Sequence, residues 1–177
     1  MPDRMTPQQR HECMSHIRSR NTKPEVLLRK ELHRLGYRYR INVGKLPGKP
    51  DIVLAKYRTC IFVNGCFWHG HQGCCKFVMP KTNTEFWADK IWNNRERDLK
   101  VYSLLDAADW KVITIWECQL KKDVFEETVS SIRKQLDDNR SSYAEYMADR
   151  RKRREEWRME MKRRKQEEFE LLSELTK

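Results

Sequence analysis

The stretch DIVLAKYRTCIFVNG, residues 51–65, contains two short apolar runs that are separated by a polar turn. Both runs, DIVLA and TCIFVNG, are rich in β-branched and aromatic residues, as strands usually are. The tripeptide KYR between them reverses the chain, so the stretch predicts two central strands joined as a hairpin. A loop rich in turn residues, KLPGKP (45–50), leads into the first strand.

Upstream of the hairpin, the sequence predicts a helix over residues 21–36. Thr22 and Glu25 have the spacing of a capping box, and Gly36 is a stop signal. The next segment, YRYRINV (37–43), alternates apolar side chains with charged or polar ones. This alternation is typical of a strand with one exposed face.

Downstream of the hairpin, a helix is predicted from about residue 84 to 107. Its inward stripe includes two polar side chains, Asn94 and Asp98, and a buried polar group needs a partner. The segment WKVITIWE (110–117) is nearly all apolar, which predicts a further strand inside the sheet. Cap signals then introduce another helix, whose apolar residues are Val129, Ile132 and Leu136.

The C-terminal part of the chain, from about residue 140, is charge-dense and contains neither Gly nor Pro. Apolar residues occur there only intermittently, which predicts a long and largely solvated helix. A coiled-coil segment or a further basic contact to DNA would fit the same pattern.

The composition is strongly basic, with a formal net charge of +11 at pH 7. Such an excess suggests a polyanionic partner, nucleic acid before membrane, because phosphate neutralisation releases counterions. A basic protein kept soluble by its charge is the simpler alternative. The sequence shows no signal-peptide pattern and no long apolar run, so we expect a cytoplasmic chain without a membrane partner. In that reducing compartment the six cysteines are expected to be thiols or metal ligands.

A loop dense in cysteine and histidine, GCFWHGHQGCC (65–75), follows the hairpin. Three thiolates and one imidazole from two distant points of the chain would suit a tetrahedral structural zinc site. Cys75 could replace its neighbour Cys74, and buried cysteines acting as small apolar residues are the alternative. The predicted ligands are Cys66, His71, Cys74 and Cys118.

Asp51 opens a predicted central strand directly after the Gly/Pro loop. A carboxylate at a strand end can hold a divalent cation against a phosphate, as nuclease folds require. The acid-x-lysine element that often follows on the next strand is missing, because the matching positions are Phe62, Val63 and Asn64.

Four motifs together resemble one enzyme family: KPEVLLRKEL, LPGKPDIVLAKYRTCIFVNGCFWHGH, PKTNTEFWADKIWNNRERD and DWKVITIWEC. They are similar to the very-short-patch repair (Vsr) DNA mismatch endonucleases over about residues 10–137. The resemblance implies a restriction-endonuclease-like fold with a structural zinc site. It also implies magnesium-dependent nicking of DNA on the 5′ side of the thymine in a T:G mismatch.

The resemblance also implies roles for individual residues in catalysis. Asp51 would bind magnesium together with the backbone carbonyl of Val63, and His69 would act as the general base. Asp98 would orient His69, while Glu25 would stand in the active-site shell, although helix capping explains Glu25 nearly as well. The family often has Thr-His where this chain has Val63 and Asn64. Asn64 can hydrogen-bond a phosphate but cannot exchange a proton near neutral pH.

Contacts to the mismatch are implied for several apolar residues. Phe67, Trp68 and Trp87 would insert or pack beside the mispair, and Met14 would wedge in from the other groove. A mispair unstacks more cheaply than a matched pair, and apolar wedges stabilise the opened step. Core packing of Phe67 and Trp68 is the alternative, as is a merely flexible Met14.

The sequence therefore predicts an α/β protein with a mixed central sheet flanked by helices, a structural zinc site and a long charged C-terminal helix. Its predicted parts are a DNA-contacting arm (1–20), an endonuclease domain (21–138) and a charged helical tail (139–177). The predicted cofactors are catalytic Mg²⁺ and structural Zn²⁺. The predicted partner is double-stranded DNA with a T:G mismatch, and the protein is expected to act on it as a monomer at the nucleoid. Deamination of 5-methylcytosine creates such mismatches, which links the protein to a DNA cytosine methyltransferase.

Three alternatives remain open at this point. The protein could bind mismatches without cleaving them, for which Asn64 is the main argument. It could instead be an endonuclease of the same fold that cuts matched sites. The third alternative is an interaction protein whose charged helix is the functional part and whose zinc domain is a scaffold.

Overall fold

A small mixed sheet organises the fold. The computed structural model describes Thr6, Gln8, Gln9, Glu12 and residues 20–175, with side chains described as far as residue 165. The sheet has the strand order β1-β2-β3, and helices pack on both of its faces. The strands are β1 (Ile52–Leu54), β2 (Thr59–Asn64) and β3 (Lys111–Trp116). The helices are α1 (Lys23–Arg34), α2 (Thr84–Ala107) and α3 (Phe125–Leu175). The predicted α/β class is confirmed.

The predicted hairpin forms between β1 and β2. The two strands are antiparallel, and Val53 pairs with Cys60 in the middle of the register. A 3-10 turn over Ala55–Tyr57 and a left-handed Arg58 (φ 49°) reverse the chain between them. β3 then returns parallel to β2 after the cysteine-rich loop and α2, which makes the sheet mixed.

The strand predicted over residues 37–43 is not formed. Arg40 forms an isolated antiparallel bridge to Val53, and the Asn42 N–H adds one backbone hydrogen bond to the Pro50 carbonyl. Its apolar side chains go to different places: Tyr37 is buried in the main core and the Tyr39 hydroxyl donates to the Arg29 carbonyl, whereas Ile41 is exposed and Val43 packs against the smaller core. A left-handed backbone at Asn42 (φ 47°) then turns the chain away from the sheet edge.

The prediction that β3 lies inside the sheet is also wrong, because β3 pairs only with β2 and forms an edge of the described sheet. Its apolar composition has another cause. Ile113 and Ile115 pack into the main core on one face, and Val112 packs against the smaller core on the other. Because helices cover both faces of this edge strand, its sequence is as apolar as that of a strand inside the sheet.

The two faces of the sheet have separate cores. One face packs against α1 and the first part of α3, through residues such as Leu28, Ile61 and Ile132. The other packs against α2, whose Leu105 meets Cys60. Alternate residues along each strand therefore face different helices, as the period of a strand requires.

α3 starts beside the end of β3 and runs toward the opposite end of the sheet. The Thr128 hydroxyl donates to the Gln119 carbonyl, and eleven residues later the Asn139 amide donates to the Thr59 hydroxyl. The helix continues without a break through the predicted boundary at residue 138, and beyond Tyr143 its described side chains are almost all exposed. The predicted long solvated helix is confirmed. Within the described chain, no helix has the length and apolar character needed to cross a membrane.

Candidate active site and metal-binding cluster

A cavity of about 550 Å³ opens where β1 begins and β2 ends. The hairpin brings the two strand ends together, while α1, α2 and the loop after β2 supply the remaining walls. The cavity collects all five residues predicted for catalysis, the predicted metal ligand Val63 and one of the residues predicted for DNA contact. They are Glu25, Asp51, Val63, Asn64, Trp68, His69 and Asp98.

Asp51 lies at the entrance to β1, and its carboxylate Oδ2 accepts the backbone N–H of Val63 at 2.8 Å. Burial raises the pKa of Asp51 to about 6, and the neighbouring Glu25 adds to the rise. The hydrogen bond from Val63 and the charges of Arg29 and His69 act in the opposite direction. A carboxylate held in this way gains from a divalent cation that would offset the cost of its burial.

The donor set at this point fits a hard cation. In an extended strand the N–H and C=O of one residue point to the same side, so the carbonyl of Val63 shares the side on which its N–H meets Asp51. A carboxylate oxygen and a backbone carbonyl oxygen are ligands of the kind that Mg²⁺ prefers. Asp51 and Val63 could therefore hold such an ion.

His69 is paired with Asp98 across the cavity. The His69 Nδ1 and the Asp98 Oδ2 are 2.5 Å apart, and both side chains are about one-fifth exposed. Asp98 is one of the two polar residues on the inward stripe of α2. His69 is the partner that this inward carboxylate was predicted to need. The second ring nitrogen, Nε2, has no hydrogen-bond partner among the described residues.

Glu25 is buried and fully engaged. Its carboxylate accepts the backbone N–H groups of Asn21 and Thr22 and the Thr22 hydroxyl, which completes the capping box of α1. It also forms an ion pair with Arg29 at 2.8 Å. The Arg29 guanidinium in turn donates to the backbone carbonyl of Asp51 at 3.1 Å. Glu25 is therefore linked to Asp51 through Arg29, besides lining the same cavity.

Arg29 was not predicted as a site residue, and neither was Tyr102. The spacing of four residues from Glu25 to Arg29 is the signal that could have identified Arg29, because such pairs meet on a helix face. Tyr102 similarly follows Asp98 by four residues on α2. Its hydroxyl accepts hydrogen bonds from the Asn64 amide at 3.4 Å and from the Thr114 hydroxyl at 3.2 Å. Tyr102 thereby holds the buried Asn64 side chain in place.

The predicted zinc ligands lie together. One ligand atom from each of them falls within 4.8 Å of all the others, and the four residues are Cys66, His71, Cys74 and Cys118. Cys75 is exposed and is not part of this group. The His71 ring also stacks on Trp116, with 4.1 Å between ring centroids. Three thiols and an imidazole at this separation form a donor set that fits a tetrahedral structural metal.

An aromatic cluster stands beside the cavity. The rings of Phe67 and Trp87 are 5.3 Å apart, those of Trp68 and Trp87 are 6.0 Å apart, and Phe86 packs on Trp87. Phe67, Trp68 and Trp87 are each partly exposed, so they do not form part of the buried cores. The Asn94 amide donates to the Trp68 carbonyl at 2.8 Å, which fixes the loop on α2. Met14 lies outside the described residues.

Comparison with known proteins agrees with this geometry. Residues 2–76 match the family model described as DNA mismatch endonuclease Vsr. The type II nicking enzyme V.NmeAIP of Neisseria meningitidis is 47% identical over 139 residues, which cover 78% of this chain and 99% of that enzyme.

Two further relatives extend the match. The type II nicking enzyme V.XorIIP of Xanthomonas oryzae is 45% identical over 120 residues, covering 68% of this chain and 88% of that enzyme. The DNA mismatch endonuclease Vsr of Escherichia coli is 43% identical over 112 residues, covering 63% of this chain and 71% of that protein. The protein is thus a DNA endonuclease, and it belongs to the Vsr family of DNA mismatch endonucleases.

Proposed function

We propose that this endonuclease uses Mg²⁺ to nick duplex DNA on the 5′ side of the thymine in a T:G mismatch. The observation that carries the proposal is one cavity that contains a buried carboxylate, Asp51, and a paired histidine and carboxylate, His69 and Asp98. A cation-binding group and a proton acceptor are the two parts that phosphodiester hydrolysis needs.

Asp51 and the carbonyl of Val63 would hold the magnesium ion. The chemistry expected of that ion is neutralisation of the negative charge that builds up on the phosphate. Val63 has a second task, since its N–H fixes the Asp51 carboxylate at 2.8 Å. Arg29 holds the backbone carbonyl of Asp51 from the other side, so the carboxylate is restrained before any substrate arrives.

His69 is proposed as the general base. When ionised, Asp98 accepts the Nδ1–H of His69, which selects the tautomer that has its lone pair on Nε2. Nε2 then takes the proton from the attacking water, and Asp98 stabilises the imidazolium that results. Asn64 donates hydrogen bonds but cannot share the proton transfer, so His69 carries that step alone.

The aromatic cluster is proposed to read the mispair. Phe67, Trp68 and Trp87 form a cluster of partly exposed rings, of which Trp68 lines the cavity where the duplex must approach for His69 to reach a phosphate. Opening a base step costs less at a mispair than at a matched pair, and inserted rings stabilise the opened step. Met14 is proposed to insert from the other groove.

A zinc ion is proposed for the Cys/His cluster. The cluster joins Cys118, next to the end of β3, to the loop that carries Phe67, Trp68 and His69. Its part is therefore structural, since it would fix this loop against the sheet.

Because T:G mispairs arise when 5-methylcytosine deaminates, a DNA cytosine methyltransferase is the proposed genetic companion of this enzyme, which would act as a monomer.

A second candidate function is nicking at a matched recognition site. The names of V.NmeAIP and V.XorIIP, type II nicking enzymes, favour it as the alternative. The cavity would perform the same chemistry in either case, and only the recognised base pair would differ. A protein that binds mismatches without cleaving them is the remaining alternative, and Asn64 is its main support.

The test is a nicking assay on end-labelled duplexes that differ only in carrying a T:G or a T:A pair, with and without Mg²⁺. Wild-type protein should nick the T:G duplex only when Mg²⁺ is present, and Asp51→Ala and His69→Ala proteins should not. Asp106→Asn is the control, because this carboxylate is 75% exposed, lies at the C-terminal end of α2 and does not line the cavity. Binding of the T:G duplex without a nick would favour the non-cleaving binder, and equal nicking of both duplexes would exclude mismatch specificity.

A further inference from the structure

The part of α3 that extends beyond the domain carries three arginines at a spacing of four residues. They are Arg150, Arg154 and Arg158, and all three are exposed. Residues four apart are neighbours on a helix surface, with roughly 40° of rotation per step, so the three form one row. We call this row the arginine ladder.

The cations beside the arginine ladder form ion pairs, whereas the three ladder arginines form none with the described side chains. Arg151 lies 3.2 Å from Glu155, Lys152 lies 3.9 Å from Glu156, and Arg153 pairs with Asp149. No side chain up to residue 165, where the described side chains end, forms an ion pair or hydrogen bond with the three ladder residues. The helix thus neutralises one set of cations internally and leaves the other available.

The arginine ladder costs helix stability, because like charges four residues apart repel each other. It also continues the face by which α3 packs on the domain. Leu136, Tyr143, Arg150 and Trp157 follow each other at seven-residue steps, so they lie on one stripe. Leu136 is in the core and Tyr143 lies against Arg58, but Trp157 is 62% exposed. The stripe is apolar where it packs on the domain, and its first residue beyond the domain surface is the cationic Arg150.

The charge of this stripe decides between two kinds of partner. A second copy of α3 would bring arginines into the seam between two helices, where burying like charges without counter-ions is unfavourable. A nucleic-acid backbone supplies the missing negative charge, and the exposed indole of Trp157 can pack against sugar or base. The whole chain carries a net charge of +11, which favours the same partner.

The arginine ladder lies far from the catalytic cavity. The cavity is at the Asn64 end of β2, while Asn139 of α3 bonds to Thr59 at the other end. Arg150 follows Asn139 by eleven helical residues, about 17 Å of rise, and β2 adds roughly another 17 Å. The ladder therefore begins on the order of 30 Å from the cavity, beyond the reach of the base pairs bound there.

We propose that the arginine ladder binds the phosphate backbone of duplex DNA outside the segment held at the catalytic cavity. This contact is independent of base sequence, because phosphates carry no direct sequence information. It would hold the enzyme on DNA between encounters with a mismatch. The proposal does not depend on which base pair the cavity recognises.

The test compares two triple variants of the full chain that remove the same charge. One is Arg150→Gln, Arg154→Gln and Arg158→Gln; the control is Arg151→Gln, Lys152→Gln and Arg153→Gln. Gln has nearly the helix propensity of Arg and Lys, and circular dichroism checks that α3 is retained. Affinity for a fully matched duplex of about 40 base pairs is measured by fluorescence anisotropy, without divalent ions, at several salt concentrations.

The ladder variant should bind at least tenfold more weakly at about 0.1 M salt. Its slope of log affinity against log salt should shrink by about 2–3, because three phosphate contacts are lost. The control should keep most of the wild-type affinity and slope. Equal losses in both variants would mean general electrostatics and would overturn the proposal, as would unchanged binding in the ladder variant.

Two further measurements separate the remaining outcomes. Sedimentation shows whether the ladder variant changes the assembly state; a change in mass with unaltered DNA affinity would assign the stripe to a second copy and overturn the proposal. Nicking of a short T:G duplex, which is too small to reach the ladder, should be the same in both variants and wild type. Because the binding test uses matched DNA, it stands even if mismatch nicking fails.

Discussion

Arg29 and Arg154 are the same side chain in opposite surroundings, and they represent the two regions of this molecule. Arg29 is 7% exposed and donates to Asn21, Glu25 and the Asp51 carbonyl. Arg154 is exposed and has no partner among the described side chains. A buried and paired arginine such as Arg29 fixes the geometry of a site before the substrate arrives. An exposed arginine such as Arg154 is available to attract an anionic substrate. The chain separates these tasks into a compact domain and a projecting helix.

The largest expected effect is on the nicking rate, and it follows replacement of the proposed general base, His69, in the compact domain. His69→Gln keeps a polar side chain but cannot accept the proton, so the single-turnover nicking rate should fall by about 10²–10⁴. Asp98→Asn should cause a smaller loss, because it disturbs the tautomer of His69. A rate within twofold of wild type for His69→Gln would exclude this residue as the base.

The two arginines themselves give the next test. Arg29→Gln leaves the Glu25 carboxylate buried with one partner fewer, so the free energy of unfolding should fall by about 3–5 kcal/mol. Arg154→Gln removes an equal charge at the surface and should change it by less than about 0.5 kcal/mol. Urea titration of both variants measures the difference. Similar losses in the two would contradict the contrast between the regions.

Asp51 should make the stability of the metal-free protein depend on pH. Burial raises the pKa of this carboxyl from 3.8 to about 6 in the folded protein, so its ionisation opposes folding. Its contribution to stability is present below about pH 4 and is lost as the pH rises to about 6. Asp51→Asn cannot ionise, and between pH 4 and pH 7 it should gain about 2–3 kcal/mol relative to wild type.

Chelated protein is used for this comparison, with urea titrations at both pH values. Added Mg²⁺ should then stabilise wild type at pH 7 but not Asp51→Asn, because a ligand that binds only the folded state raises stability. A constant difference between the two proteins across this pH range would contradict the burial argument.

Adjacent cysteines offer a matched test of the metal-binding cluster. Cys74 belongs to the group of four candidate ligands, and Cys75 is exposed outside it. Cys74→Ser should weaken zinc binding by more than about tenfold, because even the loss of an outer partner of a metal ligand costs 10–100-fold. Cys75→Ser should leave it unchanged. Zinc competition with a chromophoric chelator measures both, and the reverse order would assign the site to Cys75.

The parts of the fold that were predicted correctly depend on spacing within one element or one turn. The capping box at Thr22 and Glu25, the hairpin around Arg58 and the polar stripe through Asp98 all follow from such local rules. The segment 37–43 has the alternation of a strand, but its tyrosines pack on α1 and the core instead. A periodic pattern indicates which side chains need burial, not which surface buries them.

The same limit explains what was missed at the candidate site. Glu25 and Arg29 could be paired from their spacing, but the hydrogen bond from Arg29 to the Asp51 carbonyl joins residues 22 positions apart. Tyr102 meets Asn64 across 38 positions. Contacts of this kind are set by how α1 and α2 pack on the sheet. The motifs predicted which residues the cavity collects, whereas packing decides how these residues restrain one another.

If the cavity nicks beside a mismatched thymine, the position of that thymine decides which strand is cut. Two duplexes of identical sequence are prepared in which the thymine of the T:G pair lies in the top strand of one and in the bottom strand of the other. The nick should move with the thymine and always fall on its 5′ side. A nick that stays in one strand at a fixed position in both duplexes would contradict this prediction, and would assign the enzyme to matched-site nicking.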